Sequence, residues 1–176
     1  SPTYFLVASC LICSVVSLAT GSSWSTIATV GVALIGAAQG LDISLPMVAG
    51  AIVSGSYFGD KLSPLSETTN LAPAVAGSEL FEHIKHMLYT TLPSMLIALT
   101  LYLVLGLYYN ANGTDIEKVH ALSASLHEQF NLTPLLLLAP ISILVLIAFK
   151  IPALPAILAG ALFGGIFGMW IQEITI

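Results

Sequence analysis

The chain has 176 residues, of which 57% are hydrophobic and 7% charged, with a formal net charge of −5. A soluble domain carries roughly 25% charged residues, so this composition excludes an ordinary water-facing surface and leaves a large apolar area for lipid. The complete absence of arginine also excludes the basic footprint that nucleic acid requires.

The distribution of charge sharpens this. No Asp, Glu, Lys or Arg occurs from Ser1 to Leu41, from His86 to Thr114, from Gln129 to Phe149 or from Ile151 to Gln172. A membrane-crossing helix needs roughly 20 predominantly apolar residues, and each window holds at least one. Strands of a membrane barrel alternate apolar and polar residues, whereas runs such as Leu135-Leu136-Leu137-Leu138 do not. The expectation is an all-α, polytopic membrane protein. The chain starts with Ser1 and has no basic segment before the apolar run at Tyr4, so the start is not a signal peptide and reads as part of a longer membrane protein.

Residues 1–40 contain two apolar arms, Tyr4 to Ala19 and Ile27 to Ala38, around the polar cluster Thr20-Gly21-Ser22-Ser23-Trp24-Ser25-Thr26. Two short arms and a polar tip suit a re-entrant hairpin, and they also suit two spans joined by a tight turn. Irregular backbone at membrane depth is tolerated only inside protein or beside a watery cavity. Cys10 and Cys13 form a C-x-x-C within the first arm. They lack the soluble βαβ context of a redox motif and read as small packing residues.

Residues 43–77 predict a discontinuous membrane helix. An apolar half-span, Leu45 to Phe58, runs into Gly59-Asp60-Lys61-Leu62-Ser63-Pro64-Leu65-Ser66-Glu67-Thr68-Thr69-Asn70, and Leu71 to Ala76 is apolar again. Pro64 removes a backbone donor and clashes with the preceding turn. Residues 78–90 alternate Leu80, Phe81, Ile84, Met87 and Leu88 with Glu79, Glu82, His83, Lys85 and His86, the pattern of an amphipathic interfacial helix. Three spans are expected at 91–109, 132–149 and 152–171, with a polar loop from Asn110 to Asn131. Lys85 and Lys150 on one side against Lys118 on the other place the first two in the cytoplasm by lysine count. Gly160, Gly164 and Gly168 leave a flat stripe on the last helix, suited to close helix packing or to a sliding surface.

Charges at membrane depth cost about 2.5–3.5 kcal/mol each even on lenient scales, and Asp60, Lys61 and Glu67 fall together at the expected break. They suit an ion site, with Lys61 as counter-ion, and they also suit an ion pair that merely holds the break together. Hard cations take oxygen ligands. Ser63, Ser66, Thr68, Thr69 and Asn70 supply side-chain oxygens, an unwound backbone supplies carbonyls, and the hairpin tip adds Ser22, Ser23, Ser25 and Thr26. A buried carboxylate such as Asp60 holds a proton or helps to bind sodium, but not both well. His83 and His86 lack the H-E-x-x-H of zinc proteases; they suit an interfacial helix or a pH sensor. Asn112-Gly113-Thr114 and Asn131-Leu132-Thr133 match the glycosylation pattern.

The run from Gly55 to Pro73 resembles the NhaC-type sodium/proton antiporter family. So do Leu80 to Thr91 and Thr20 to Ile27, the latter departing at Ser25, where the family more often has glycine. The resemblance implies a fold of two inverted repeats, each a re-entrant hairpin followed by a broken helix, which selects the hairpin for residues 1–40. This chain then carries one repeat plus following spans, and the second repeat becomes a partner, with a homo-oligomer as a further one. The implied function is sodium/proton antiport in the cell (inner or plasma) membrane. The ion site is drawn from Asp60, Glu67, Thr68, Thr69, Asn70, Ser66, Ser23 and Thr26. No cofactor is expected beyond the transported sodium and protons, and the chain is not expected to be an enzyme. Sodium-coupled organic acid exchange of the malate/lactate type and a non-transporting membrane subunit are the alternatives.

Overall fold

The computed structural model describes residues 2–109, residues 153–172 and isolated positions between them. It divides into two units, Ser1–Val119 and His120–Ile176. All regular structure among the described residues is helical, as expected.

In the first unit, a short turn at Pro2–Tyr4 leads into α1, Phe5–Thr20. The helix ends because Gly21 adopts φ 69° and returns its N–H to Ser17 O at 2.8 Å, the left-handed cap that glycine reaches without strain. Ser22 is extended, and its side chain accepts from Ser25 N at 3.2 Å, opening α2, Ser23–Thr26. One π turn, Ile27–Gly31, joins α2 to α3, Val32–Gly40, without a gap. The wide turn sits where Gly31 meets Ile52; a Cβ there would lie 2.8 Å from Ile52 Cγ2.

The next helix, α4, Leu45–Leu62, fixes the directions. Cys10 O lies against Gly55, Ser14 O lies against Gly59, and Ser63 Oγ donates to Leu18 O at 2.7 Å. Both helices advance together, so α1 and α4 are parallel. Gly21 lies by Leu65, Ser23 by Asp60 and Gly31 by Ile52, so α2 and α3 run the opposite way. Residues 5–40 are therefore a helical hairpin with its tip at Gly21 and Ser22.

The helical ladder breaks at Ser63–Ser66 and resumes in α5, Glu67–Ala76. The residue before a proline is pushed out of the helical region, and Ser63 accordingly takes φ −78°, ψ 125°. The expected interruption is present, but its bounds are tighter: Asp60 and Lys61 belong to the last turn of α4 rather than to the unwound middle.

After Gly77, a second left-handed cap, α6 runs unbroken over Leu80–Tyr109. The sequence divided this stretch into an interfacial helix at 78–90 and a span at 91–109. Pro93 costs the helix a donor, yet the helix continues through it; nearby, Thr90 Oγ1 donates to Met87 O at 3.2 Å and Ser94 Oγ to Thr90 O at 2.8 Å. Leu80–Tyr108 is long and apolar enough to cross a membrane, and Phe5–Thr20 and Leu158–Ile171 are shorter apolar helices.

The core gathers Leu6, Cys10 and Cys13 from α1, Ala38 from α3, Val48, Ala51 and Ile52 from α4, and Met95 from α6. Cys10 and Cys13 are free thiols with no exposed surface, in keeping with packing residues. Ser54 and Tyr102 hydroxyls, 2.8 Å apart, tie α4 to α6. Leu92, Leu96, Ile97, Leu101 and Val104 point outward.

In the second unit, α7 covers Ala153–Gln172, close to the span expected at 152–171. Among the described residues, a Cβ at Gly164 or Gly168 would meet nothing within 4 Å. Asn112, Lys118, Asn131, Lys150 and most of the span expected at 132–149 lie outside the described residues.

Candidate ion-binding site

The site forms where the hairpin tip rests on the broken helix. Gly21 makes this approach possible: a Cβ there would lie 2.6 Å from the Leu65 carbonyl carbon and 2.8 Å from Ser66 N. Along the flank, Ser17 Oγ donates to Ser56 O at 2.6 Å and Ser63 Oγ donates to Leu18 O at 2.7 Å. Gly59, between these bonds, and Gly55, just before the first, let the two backbones touch. The hairpin is thus pinned to α4 on both sides of the carboxylate.

That carboxylate is Asp60, half-buried in the last turn of α4. Ser23 Oγ donates to Asp60 Oδ2 at 2.8 Å, and Ser23 is itself 3% exposed. Ser23 opens the helical arm α2–α3, so the carboxylate faces a helix N-terminus, where the backbone carries partial positive charge. The main chain of Asp60 lies at the opposite kind of end, among the terminal carbonyls of α4. One residue therefore joins an anion held by a hydroxyl to a cluster of carbonyl oxygens, the donor chemistry hard cations take.

Two of those carbonyls and two more in the break already accept hydrogen bonds, unlike the free carbonyls expected of an unwound backbone. Asp60 O accepts from Ser63 N at 3.1 Å and from Thr69 Oγ1 at 3.2 Å. Lys61 O accepts from the same hydroxyl at 3.1 Å. Asn70 Nδ2 donates to Pro64 O and Ser66 O, each at 2.7 Å. The cause is general: the last carbonyls of a helix lack intrahelical partners and take side chains when buried. Here the first turn of α5 folds back and supplies them.

The remaining expected site residues fall around this centre. Ser66 and Thr68 hydroxyls are 2.9 Å apart. Thr26 is buried but serves the hairpin, donating to Ser22 O at 2.9 Å, with Thr20 Oγ1 3.5 Å away. Lys61 follows Asp60 by about 100° around the helix and is exposed, as are Glu67 and Thr68. Glu67 opens α5, where helix polarity favours an anion. His83 is half-buried and His86 exposed, the latter edge-on to Tyr89 with ring centroids 6.1 Å apart. Among the described residues no group of three or more His, Cys, Asp or Glu could hold a metal ion.

Sequence reasoning missed Ser17, Ser56 and the fit of Gly55 and Gly59 against α1. The signal was there: small residues recur at helical spacing on both helices, Cys10, Ser14 and Ser17 on one, Gly55, Ser56 and Gly59 on the other. Such stripes mark close packing between membrane helices.

A family model described as the Na+/H+ antiporter family matches residues 55–176, from the glycine at the α1–α4 contact through Asp60, the break and α6. The chain belongs to the Na+/H+ antiporter family. Curated relatives match nearly all of it. It is 43% identical over 175 residues to the Malate-2H(+)/Na(+)-lactate antiporter of Bacillus subtilis (strain 168), which covers 99% of this chain and 37% of that protein. Identity is 42% over 172 residues to the Na(+)/H(+) antiporter NhaC of Alkalihalophilus pseudofirmus, covering 98% and 37%. It is 41% over 163 residues to the Arginine/ornithine antiporter ArcD of Halobacterium salinarum, covering 91% and 33%. The chain therefore spans about a third of the length of these relatives. No solved structure matches the chain. Membership of the Na+/H+ antiporter family bears out the resemblance carried by the Gly55–Pro73 run, and it makes the chain part of a membrane protein.

Proposed function

We propose that the full-length protein exchanges sodium for protons across the cell membrane, and that Asp60 is the group for which the two ions compete. The observation that supports this best is the placing of Asp60: its carboxylate is held by Ser23 at the hairpin tip, and its backbone is among the terminal carbonyls of α4. A cation beside it draws on the carboxylate and the Ser23 hydroxyl, and on those carbonyl oxygens once their present donors are displaced. A proton on the same carboxylate removes the charge that attracts the cation. Exchange then needs only that the site opens to one side of the membrane at a time.

In this reading α4 and α5 are the two halves of one discontinuous membrane helix, and the helical hairpin is re-entrant, both within a multi-pass protein. Irregular backbone at Ser63–Ser66 is then enclosed by protein. The test is sodium-driven proton movement by the full-length protein in inverted vesicles, and its absence with correctly inserted protein would refute the reading.

One relative supports a second reading. The Bacillus subtilis malate/lactate protein is as similar to this chain as the sodium/proton antiporters are. In that reading the same carboxylate serves sodium and protons while an organic acid travels with them. Adding malate outside and lactate inside the vesicles separates the two. Proton movement that requires the acids selects the second reading, and movement without them selects the first.

A further inference from the structure

We propose that Thr69 and Asn70 form a latch that holds the break closed by occupying the oxygens a cation would use, rather than serving as cation ligands themselves. This rests on the reading of the Asp60 region as the sodium site. The Thr69 hydroxyl has a single hydrogen, and that hydrogen is shared between Asp60 O at 3.2 Å and Lys61 O at 3.1 Å. Asp60 O also accepts from Ser63 N, so both of its lone pairs are in use. Ser66 O is filled in the same way, by Asn70 Nδ2 at 2.7 Å and Asn70 N at 3.1 Å. The second hydrogen of the Asn70 amide holds Pro64 O.

Each of these donors stands where a cation's positive charge would stand. A cation that draws on the terminal carbonyls of α4 must first displace the Thr69 hydrogen. Thr69 is 3% exposed, so a hydrogen turned away from the carbonyls loses its partner in a buried place, which is costly. The hydroxyl therefore competes with the cation. It also keeps the first turn of α5 folded against the end of α4, so releasing it loosens the break at the moment the ion arrives. The alternative role, that of an oxygen ligand, gives the opposite sign in a binding experiment.

The experiment uses the full-length protein in detergent, with sodium chloride as the probe and choline chloride holding ionic strength constant. Half-saturating sodium is read from the sodium-dependent rise in melting temperature and from exchange in vesicles. Thr69→Val keeps the shape and removes the donor. It is expected to melt lower without sodium and to half-saturate at roughly five-fold lower sodium, the factor that one net hydrogen bond represents. Thr69→Ser, which returns the donor, is expected to restore the original value. Asn70→Leu is expected to shift half-saturation in the same direction as Thr69→Val. A valine variant recovered only when purified in sodium also supports the latch; if it cannot be recovered at all, the Asn70→Leu result decides. Weaker sodium binding by Thr69→Val would make Thr69 a ligand and overturn the latch, and unchanged binding overturns it too. If the unaltered protein gains no stability from sodium, the sodium site itself fails, and the latch with it.

Discussion

Gly59→Ala probes the contact that positions the carboxylate. A Cβ at Gly59 would lie 2.6 Å from Leu18 N and 2.8 Å from Ser17 Cβ, whereas ordinary contact begins near 3.4 Å. Ser14 O stands closer still, and the obstacle is largely backbone, so α1 must retreat by at least about 0.8 Å, the gap between 2.6 and 3.4 Å. That shift carries the Ser63–Leu18 bond at 2.7 Å and the Ser17–Ser56 bond at 2.6 Å to the edge of hydrogen-bonding range. Overpacking costs about 1–3 kcal/mol and two weakened hydrogen bonds add about 1 kcal/mol each, for a loss of about 3–5 kcal/mol. Gly36 is the matched control: it is helical, and a Cβ there meets nothing within 4 Å. Gly36→Ala should gain about 0.5–1 kcal/mol from reduced backbone entropy. The assay is the melting temperature and folded yield of the two full-length variants in detergent. If Gly59→Ala melts with or above Gly36→Ala, α1 and α4 do not approach as closely as described, and the pinning of the hairpin beside Asp60 is wrong.

Two further outcomes are expected. Tyr102→Phe removes the bond between Ser54 and Tyr102 and should lower stability by about 1 kcal/mol while leaving half-saturating sodium unchanged; a large change in sodium dependence would tie α6 to the site. Cys10 and Cys13 have no exposed surface, so a maleimide should label neither until the protein is unfolded, and labelling of the folded protein would show that the α1 interface opens.

Much of the site could be read from residues near one another in sequence. Pro64 announces the break because a proline acts on its own helix and on the residue before it, and Ser63 is indeed the first extended residue. The hairpin tip is announced by Gly21 and Ser22, whose cap geometries are local. What the sequence did not reveal depends on chain folding back. The capping of Asp60 O and Lys61 O by Thr69 requires α5 to return to the end of α4, and no local rule sets that turn. The sequence reading put Ser23 and Asp60 in one site, but the bond between them spans 37 positions and follows from the parallel run of α1 and α4. The two stretches expected at 78–90 and 91–109 form one helix, because Glu82, Lys85 and the two histidines change the surface of a helix without ending it. Pro93 lies inside the same helix without ending it.

The most direct test of the proposed function is Asp60→Asn in the full-length protein, followed by sodium-driven proton movement in inverted vesicles. Asparagine keeps the size of the side chain and an oxygen for Ser23, but it carries neither the charge that attracts sodium nor a titrating proton. Exchange is expected to vanish while membrane insertion and melting temperature stay near those of the unaltered protein. Near-normal exchange by Asp60→Asn would contradict the assignment and pass the role of shared carboxylate to Glu67.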